Sequence, residues 1–325
     1  MTSEDSRDDP RQQDSRGADP KAPWPQIPSE ILDSWSIAPT EYLDRLHNEH
    51  WFVESRGMGL VLRGYPEKPF ADIVYELDVL GRLLALGWPV PAVVEEPIVA
   101  GGRTWCLFTR LPGVSRRSDT TLEQRRARGR LLAQLHDTTA LLADMGQRRG
   151  FSLSNEVVCD PELVATVREY EGVCPAEGHI MRWHIERAQE DFEGIDLDGA
   201  ETIVLHGDLA PWNLLFEGEK LTGILDFEGS HLNYRVADFS NSWRGYQDEV
   251  IEGYEEMHPL TDLDWQLLVP VWWSWMFIGV KDEIKAALSG GAAPNEIEWQ
   301  IRHLLRRDGL LGERAKRYPG IKNTL

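Results

Sequence analysis

The chain has 325 residues, 42% hydrophobic and 27% charged, with a formal net charge of −20 at pH 7. This is the composition of a folded protein of one large or two modest domains. No Lys/Arg run supplies the basic footprint that nucleic acid or an anionic membrane needs, which excludes both as expected partners.

Residues 1–26 are expected to be a disordered acidic tail. Met1 to Pro25 is rich in Asp, Arg, Ser, Gln and Pro and has too few apolar residues to offset its ordering entropy. It also lacks the apolar core of a signal peptide. The three cysteines, Cys106, Cys159 and Cys174, are widely spaced and contain no CxxC pair. That argues against a disulfide framework or zinc site and for a reducing cytoplasm. Pro39 to Asn48 reads as a short helix with Tyr42, Leu43 and Leu46 inward. Trp51 to Ser55 and Leu60 to Tyr65 read as strands joined by Arg56-Gly57-Met58-Gly59, an ordinary hairpin turn. Arg63 ends the second of these strands. Phe70 to Leu86 is a predicted helix with Ile73, Leu77, Leu80 and Leu84 on one stripe and Glu76 at its edge. A carboxylate there requires a charged partner if it is buried.

Gly87-Trp-Pro-Val-Pro91 ends that helix, and Val93-Val94 and Thr104 to Thr109 read as strands flanking Gly101-Gly102. Thr121 to Met145 is a predicted long helix with Leu131, Leu132, Leu135 and Leu142 inward and His136 as a hydrogen-bonded core histidine. Pro161 to Tyr170 and His179 to Phe192 are further helices. Tyr254 to Arg307 is helical in pattern and carries Trp265, Trp272, Trp273, Trp275 and Trp299. Clustered aromatics of this kind are usually core, with a cage for an ammonium group as the alternative. The longest apolar run, Leu267 to Val280, has 14 residues, short of the roughly 20 needed to span a bilayer.

The most informative stretch runs from Ile203 to Asp238. It reads as strand (Thr202 to Leu205), polar loop, strand (Leu214 to Phe216), tight turn around Gly218-Glu219, and strand (Leu221 to Leu225). The loop holds His206, Asp208 and Asn213, and the last strand delivers Asp226. Antiparallel pairing brings Asn213 and Asp226 to the same open end of the hairpin, where their hard oxygen atoms suit Mg²⁺ that also holds phosphate. Asp208, five residues before Asn213, is within reach of an acceptor hydroxyl. This is the layout of a phosphoryl-transfer site. His-x-Asp alone is a weak signal, and its strength here comes from the order and strand context of all the parts.

His206-Gly207-Asp208-x-x-x-x-Asn213 followed by Asp226-Phe227-Glu228 resembles the aminoglycoside phosphotransferase family, small-molecule kinases distantly related to the protein kinases, which carry H-R-D-x-x-x-x-N and D-F-G. Gly207 replaces the Arg and Glu228 the last Gly. A short bridge from Gly229 to Asp238 stands where a regulated kinase has its activation loop. The resemblance implies an α+β, two-lobed protein-kinase-like fold. The small lobe, residues 27–113, would bind nucleotide, and the mostly helical lobe, residues 114–325, would carry the catalytic loop, metal site and acceptor site. Arg110 to Gly113 would be the hinge. It further implies ATP and Mg²⁺ as cofactors, Asp208 as the catalytic residue, and Asn213 and Asp226 as metal ligands. Arg63 would bind the α/β-phosphates where protein kinases use Lys, and Glu76 would position it. His206 would brace the loop, and Asp238 would cap a helix or brace the loop. The expected partners are ATP and a small hydroxylated acceptor, without nucleic acid, membrane or protein partner. An aminoglycoside-like or other amine-bearing acceptor leads, supported by the net charge, Glu228 and the acidic stretch Asp248, Glu249, Glu252, Glu255 and Glu256. The alternatives are a metabolite kinase for homoserine, choline or a sugar, and a catalytically silent nucleotide-binding module.

Overall fold

The computed structural model describes residues 24–43, 48–65, 70–290 and 294–306. Residues 1–23 of the expected disordered tail lie outside them, as do Leu46 and Arg307. The chain forms two compact units. One comprises the described residues up to Ser118 together with Pro211–Glu228, and the other comprises Asp119–Ala210 and the described residues from Gly229 on.

The first unit is built on an antiparallel five-stranded sheet in the order β1-β2-β3-β5-β4. Its strands are β1 (Ala38–Leu43), β2 (Glu49–Ser55), β3 (Met58–Tyr65), β4 (Ile98–Ala100) and β5 (Arg103–Thr109). Period-2 alternation puts Trp51, Val53, Leu60, Leu62, Trp105 and Leu107 into one core with Ile31 and Trp35 of helix α1 (Ser29–Trp35). The other face carries Arg63, Tyr65 and Cys106, all buried. Helix α2 (Phe70–Ala85) meets that face through Glu76. Within α2 the buried stripe is Ile73, Glu76, Val79, Leu80 and Leu83, while Leu84 is exposed. Glu76 therefore sits in the middle of the stripe and not at its edge, because Arg63 on the sheet supplies its charge partner.

Three local expectations are corrected. Ala38–Leu43 is an edge strand and not the start of a helix: it pairs with β2 through an irregular register at Pro39/Glu41. Tyr42 packs on Trp51 at 5.2 Å between ring centroids, and Pro is tolerated at a sheet edge. Val93 makes only an isolated bridge to Phe108, and the neighbour of β5 beyond the Gly101-Gly102 turn is β4. The helical pattern from Tyr254 onward resolves into separate helices.

The turn at Arg56-Gly57 is an ordinary hairpin turn, with φ of 51° and 76° at its two residues, the left-handed pair that matches strand twist. Ser55 pairs with Met58, and Arg63 pairs with His50 five steps along β3. The turn is thus roughly 17 Å of strand away from Arg63. A second sheet in this unit has the order β6-β8-β9: β6 (Val114–Ser115), β8 (Leu214–Glu217) and β9 (Lys220–Ile224).

The second unit contains α3 (Leu122–Thr139), α4 (Ser154–Cys159), α5 (Pro161–Val173) and α6 (Pro175–Glu193), then strand β7 (Thr202–Val204). Strand β7 pairs antiparallel with β10 (Leu232–Tyr234). Helices α7 (Phe239–Trp243), α8 (Asp248–Glu255), α9 (Asp262–Trp275), α10 (Val280–Leu288) and α11 (Pro294–Leu304) follow. Thr121 caps α3 by accepting from Gln124 N at 3.1 Å, and Ala140–Met145 continues it as a tighter 3-10 turn. Helices α3 and α8 cross at glycines. A Cβ on Gly129 would lie 2.0 Å from the Val250 carbonyl oxygen, and one on Gly253 would lie 2.1 Å from that of Arg126. Trp272 and Trp273 are each 1% exposed, which supports the core reading for these two, whereas Trp265, Trp275 and Trp299 are half-buried. Among the described residues no helix is long and apolar enough to cross a membrane.

Candidate active site

The predicted site residues fall on both units. Arg63, Glu76, Asn213 and Asp226 belong to the first and Asp208 to the second. In the first unit, the β8–β9 hairpin closes on Gly218-Glu219 with Glu217 paired to Lys220, and its open end is reached at Leu214↔Ile224. There Leu225 N donates to Asn213 O at 2.8 Å, so Asn213 and Asp226 are neighbours across the hairpin. Asn213 is buried. Asp226 has φ of 67°, a left-handed conformation that costs a non-glycine residue about 1 kcal/mol.

Arg63 joins Glu76 to Asp226. Its Nη1 donates to Glu76 Oε1 at 3.0 Å, and its Nη2 donates to Glu228 Oε2 at 2.6 Å and approaches Asp226 Oδ1 at 3.4 Å. The Tyr65 hydroxyl also donates to Glu76 Oε1, at 3.3 Å, and the Tyr65 ring lies under the guanidinium at 4.6 Å. Burial works against the Arg63 charge, but Tyr65, Glu76, Asp226 and Glu228 around it raise its pKa well above the ordinary value. Burial, aided by Glu76, pushes the neighbouring Cys106 thiol up to about 12, so it stays neutral. The guanidinium is a fixed cation between a buried carboxylate that orients it and two more exposed ones.

In the second unit, the loop after β7 is held through its backbone. Asp238 is 1% exposed and accepts from His206 N at 2.8 Å and Gly207 N at 2.7 Å. Asn241 Nδ2 donates to Gly207 O at 3.1 Å, and Ser242 Oγ to Leu209 O at 2.9 Å. The His206 ring is fully buried, and its Nδ1 accepts from Asp208 N at 3.1 Å, which makes it a brace, as expected. Gly207 has φ of 84°, and a Cβ on it would lie 2.5 Å from Gly229 O, so glycine is required where protein kinases carry Arg. Burial alone would raise the Asp238 carboxyl, but the hydrogen bonds it accepts from His136 and from the His206 amide bring it below its ordinary range. Asp238 makes no helix cap and acts as the loop's brace.

Sequence reasoning missed several of these partners. Glu228 serves Arg63 and Asn48, whose Nδ2 donates to the same Oε2. Its signal was its place two residues after Asp226. Asn241 and Ser242 were legible only as polar residues in an otherwise apolar segment. The acidic stretch has internal partners: Glu249 meets Arg125 at 3.3 Å, Glu252 meets Arg126 at 2.6 Å, and Glu256 meets Arg130 at 2.7 Å. Asp248 accepts from Trp243 Nε1 at 2.7 Å.

Residues 40–263 match the model of the phosphotransferase enzyme family (APH). The homoserine kinase of Xanthobacter autotrophicus is 29% identical over 234 residues, covering 66% of this chain and 70% of that protein. Among solved structures, the chain resembles a thermostable mutant of aminoglycoside phosphotransferase APH(4)-Ia in complex with ADP and hygromycin B. The TM-score is 0.61 at 13% identity, over 91% of this chain and 99% of that one. It also resembles spectinomycin phosphotransferase APH(9)-Ia in complex with ADP and spectinomycin, with a TM-score of 0.60 at 13% identity over 89% and 96% of the two chains. These likenesses establish the kinase-like α+β fold. The family match spans both the Arg63 strand and the Asp208 loop, and the chain belongs to the phosphotransferase enzyme family.

Proposed function

We propose that this phosphotransferase uses ATP and Mg²⁺ to phosphorylate a hydroxyl of a small amine-bearing metabolite. The observation that carries the reading is the Arg63 guanidinium, joined at once to Glu76 and to the Asp226 turn. The residues present fit Mg²⁺. Asn213 and Asp226 offer an amide and a carboxylate oxygen at one hairpin end, hard donors that would hold the ion. When bound, the ion neutralises and orients the phosphate oxygens.

Arg63 binds the α/β-phosphates in this reading, and Glu76 fixes the angle of its fork. Asp208 orients the acceptor hydroxyl and takes its proton as the new P–O bond forms and the bond to the β-phosphate oxygen breaks. Such transfer rests on positioning and electrostatics, which suits a loop whose backbone groups are tied down one by one.

For the acceptor, the likeness to homoserine kinase favours a small amino alcohol over a polycationic aminoglycoside. The internal pairing of Glu249, Glu252 and Glu256 removes part of the negative field that a polycation would exploit. The test is ATP turnover across homoserine, choline, sugars and aminoglycosides, at low and high salt, for wild type, Asp208→Ala and Asp226→Ala. The expected result is fastest turnover on a small amino alcohol, with KM changing less than about twofold with salt, and loss of activity in both variants. Fastest turnover on aminoglycosides with a steep salt dependence overturns the acceptor assignment. Full activity of Asp208→Ala overturns the mechanism.

A further inference from the structure

Asp238 braces the loop that carries Asp208, and a buried carboxylate can hold a direction only if its own surroundings hold it. Its Oδ2 accepts from His206 N and lies 3.2 Å from His136 Nε2, while Oδ1 accepts from Gly207 N. His136 comes from α3 and is 4% exposed. Its Nδ1 lies 2.9 Å from the Tyr254 hydroxyl of α8, and the two rings meet edge-on at 5.4 Å. Tyr254 is 1% exposed, and burial raises its pKa well above the ordinary phenol range, so the hydroxyl keeps its proton. The Asp238 carboxylate can only accept, so the imidazole hydrogen lies on Nε2, and Nδ1 in turn accepts from the Tyr254 hydroxyl.

We propose that His136 is a positioning residue for phosphoryl transfer. Oriented by Tyr254, it locks the Asp238 carboxylate and through it the backbone of His206 and Gly207, immediately before Asp208. This rests on the reading of Asp208 as the residue that handles the acceptor hydroxyl. The chain of contacts runs Tyr254 hydroxyl, His136 ring, Asp238 carboxylate, loop N–H groups. The glycine crossing of α3 and α8 makes it possible: Tyr254 directly follows Gly253, and His136 lies two helical turns beyond Gly129. Without His136, Oδ2 keeps a single loop donor, and the buried charge loses a partner that only a side chain from α3 supplies.

Three variants test this. His136→Leu keeps bulk but neither hydrogen bond. His136→Gln restores a donor near the position of Nε2. Tyr254→Phe removes only the hydroxyl that donates to Nδ1. In His136→Leu, kcat is expected to fall by about 10- to 100-fold, by analogy with the loss when hydrogen-bond partners behind metal ligands are removed. KM for ATP should stay within about twofold, since an interaction that acts in the transition state lowers kcat and kcat/KM together. His136→Gln should recover most of the loss, and Tyr254→Phe should fall between. A folded His136→Leu with wild-type kcat overturns the proposal, and so does an equal loss in the Leu and Gln variants that tracks the fraction of protein folded. If His136→Leu does not fold, Tyr254→Phe and His136→Gln decide: wild-type kcat in Tyr254→Phe overturns it, and a lowered kcat at unchanged KM supports it. Asp208→Asn separates the two levels. Full turnover there refutes the reading beneath the proposal, whereas an inactive Asp208→Asn beside a fully active His136→Leu refutes the proposal alone.

Discussion

At Asp226 the backbone is held at φ 67°, in a conformation glycine adopts freely and aspartate does not. The carboxylate also sits in one cluster with Glu228 around a single guanidinium. The backbone conformation costs stability, and strain of this kind persists at functional positions. Asp226→Gly is therefore expected to unfold in urea at a midpoint no lower than wild type while losing Mg²⁺-dependent ATP binding by calorimetry. A variant that binds Mg²⁺ and ATP as well as wild type removes Asp226 from the metal site. Arg63 and Glu76 make a second case. Arg63→Met leaves a carboxylate buried at 1% exposure beside two others and is expected to cost about 3–5 kcal/mol. Glu76→Gln leaves Arg63 its contacts with Glu228 and Asp226 and should cost clearly less. Equal losses in urea unfolding would show that the guanidinium is not shared as described.

The helix pair α3 and α8 tests what close approach requires. Gly129 and Gly253 each face backbone of the other helix at 2.0–2.1 Å from a hypothetical Cβ, and backbone cannot step aside as a side chain tip can. Gly129→Ala is expected to destabilise by about 3 kcal/mol or more, despite alanine's better helix propensity. Gly81 in α2 has nothing within 4 Å of a Cβ, so Gly81→Ala should stabilise by about 0.5–1 kcal/mol. Similar midpoints for the two variants would contradict the crossing. The difference in legibility among elements has the same origin in remote contacts. The strand–hairpin run from Thr202 to Ile224 was readable because apolar stretches, a glycine turn and ligand residues follow one another in sequence. Ala38–Leu43 was not, since Tyr42 and Leu43 also suit a helix and only pairing with β2 decides. In the sequence Glu76 reads as the edge of its stripe because its partner Arg63 is 13 residues away and on another element. Bracing of the loop by Asp238 is one of the two roles its family position implies, whereas the contacts of Asn241, Ser242 and His136 depend on how α3 and α7 pack.

Global stability should carry the mark of buried neutral histidines. Burial, with nearby Arg244, Arg306 and Arg302, pulls His303 down to about 4, against a hydrogen bond to Trp299 O at 2.8 Å that favours the charge. Burial also lowers His231. The unfolded chain takes up a proton near pH 6.5 that the folded chain refuses until about pH 4. The unfolded state thus binds more protons in that window, and stability falls as pH drops through it. For His303 the total is about 3 kcal/mol at most. Urea midpoints measured from pH 7 to pH 4 should fall, and less steeply in His303→Gln. Identical slopes would show that the imidazole titrates normally in the fold. Wild-type stability lost still lower, below the ordinary carboxylate range, would include Asp238, whose lowered pKa protects the fold above that range and ceases to do so beneath it.

The glycine crossing has a further consequence, in time instead of energy. Where two helix backbones touch with no side chain between them, neither can fray while the other stays in place, so amide hydrogens at the contact meet solvent only when both helices separate. The amides of α3 and α8 near Gly129 and Tyr254 should then be among the slowest in the chain to exchange with deuterium. The Asp208 loop, tied to this pair through Asp238 and His136, would inherit their slowness: its openings would follow the rate at which the helix pair comes apart, not the much faster rate of an ordinary surface loop.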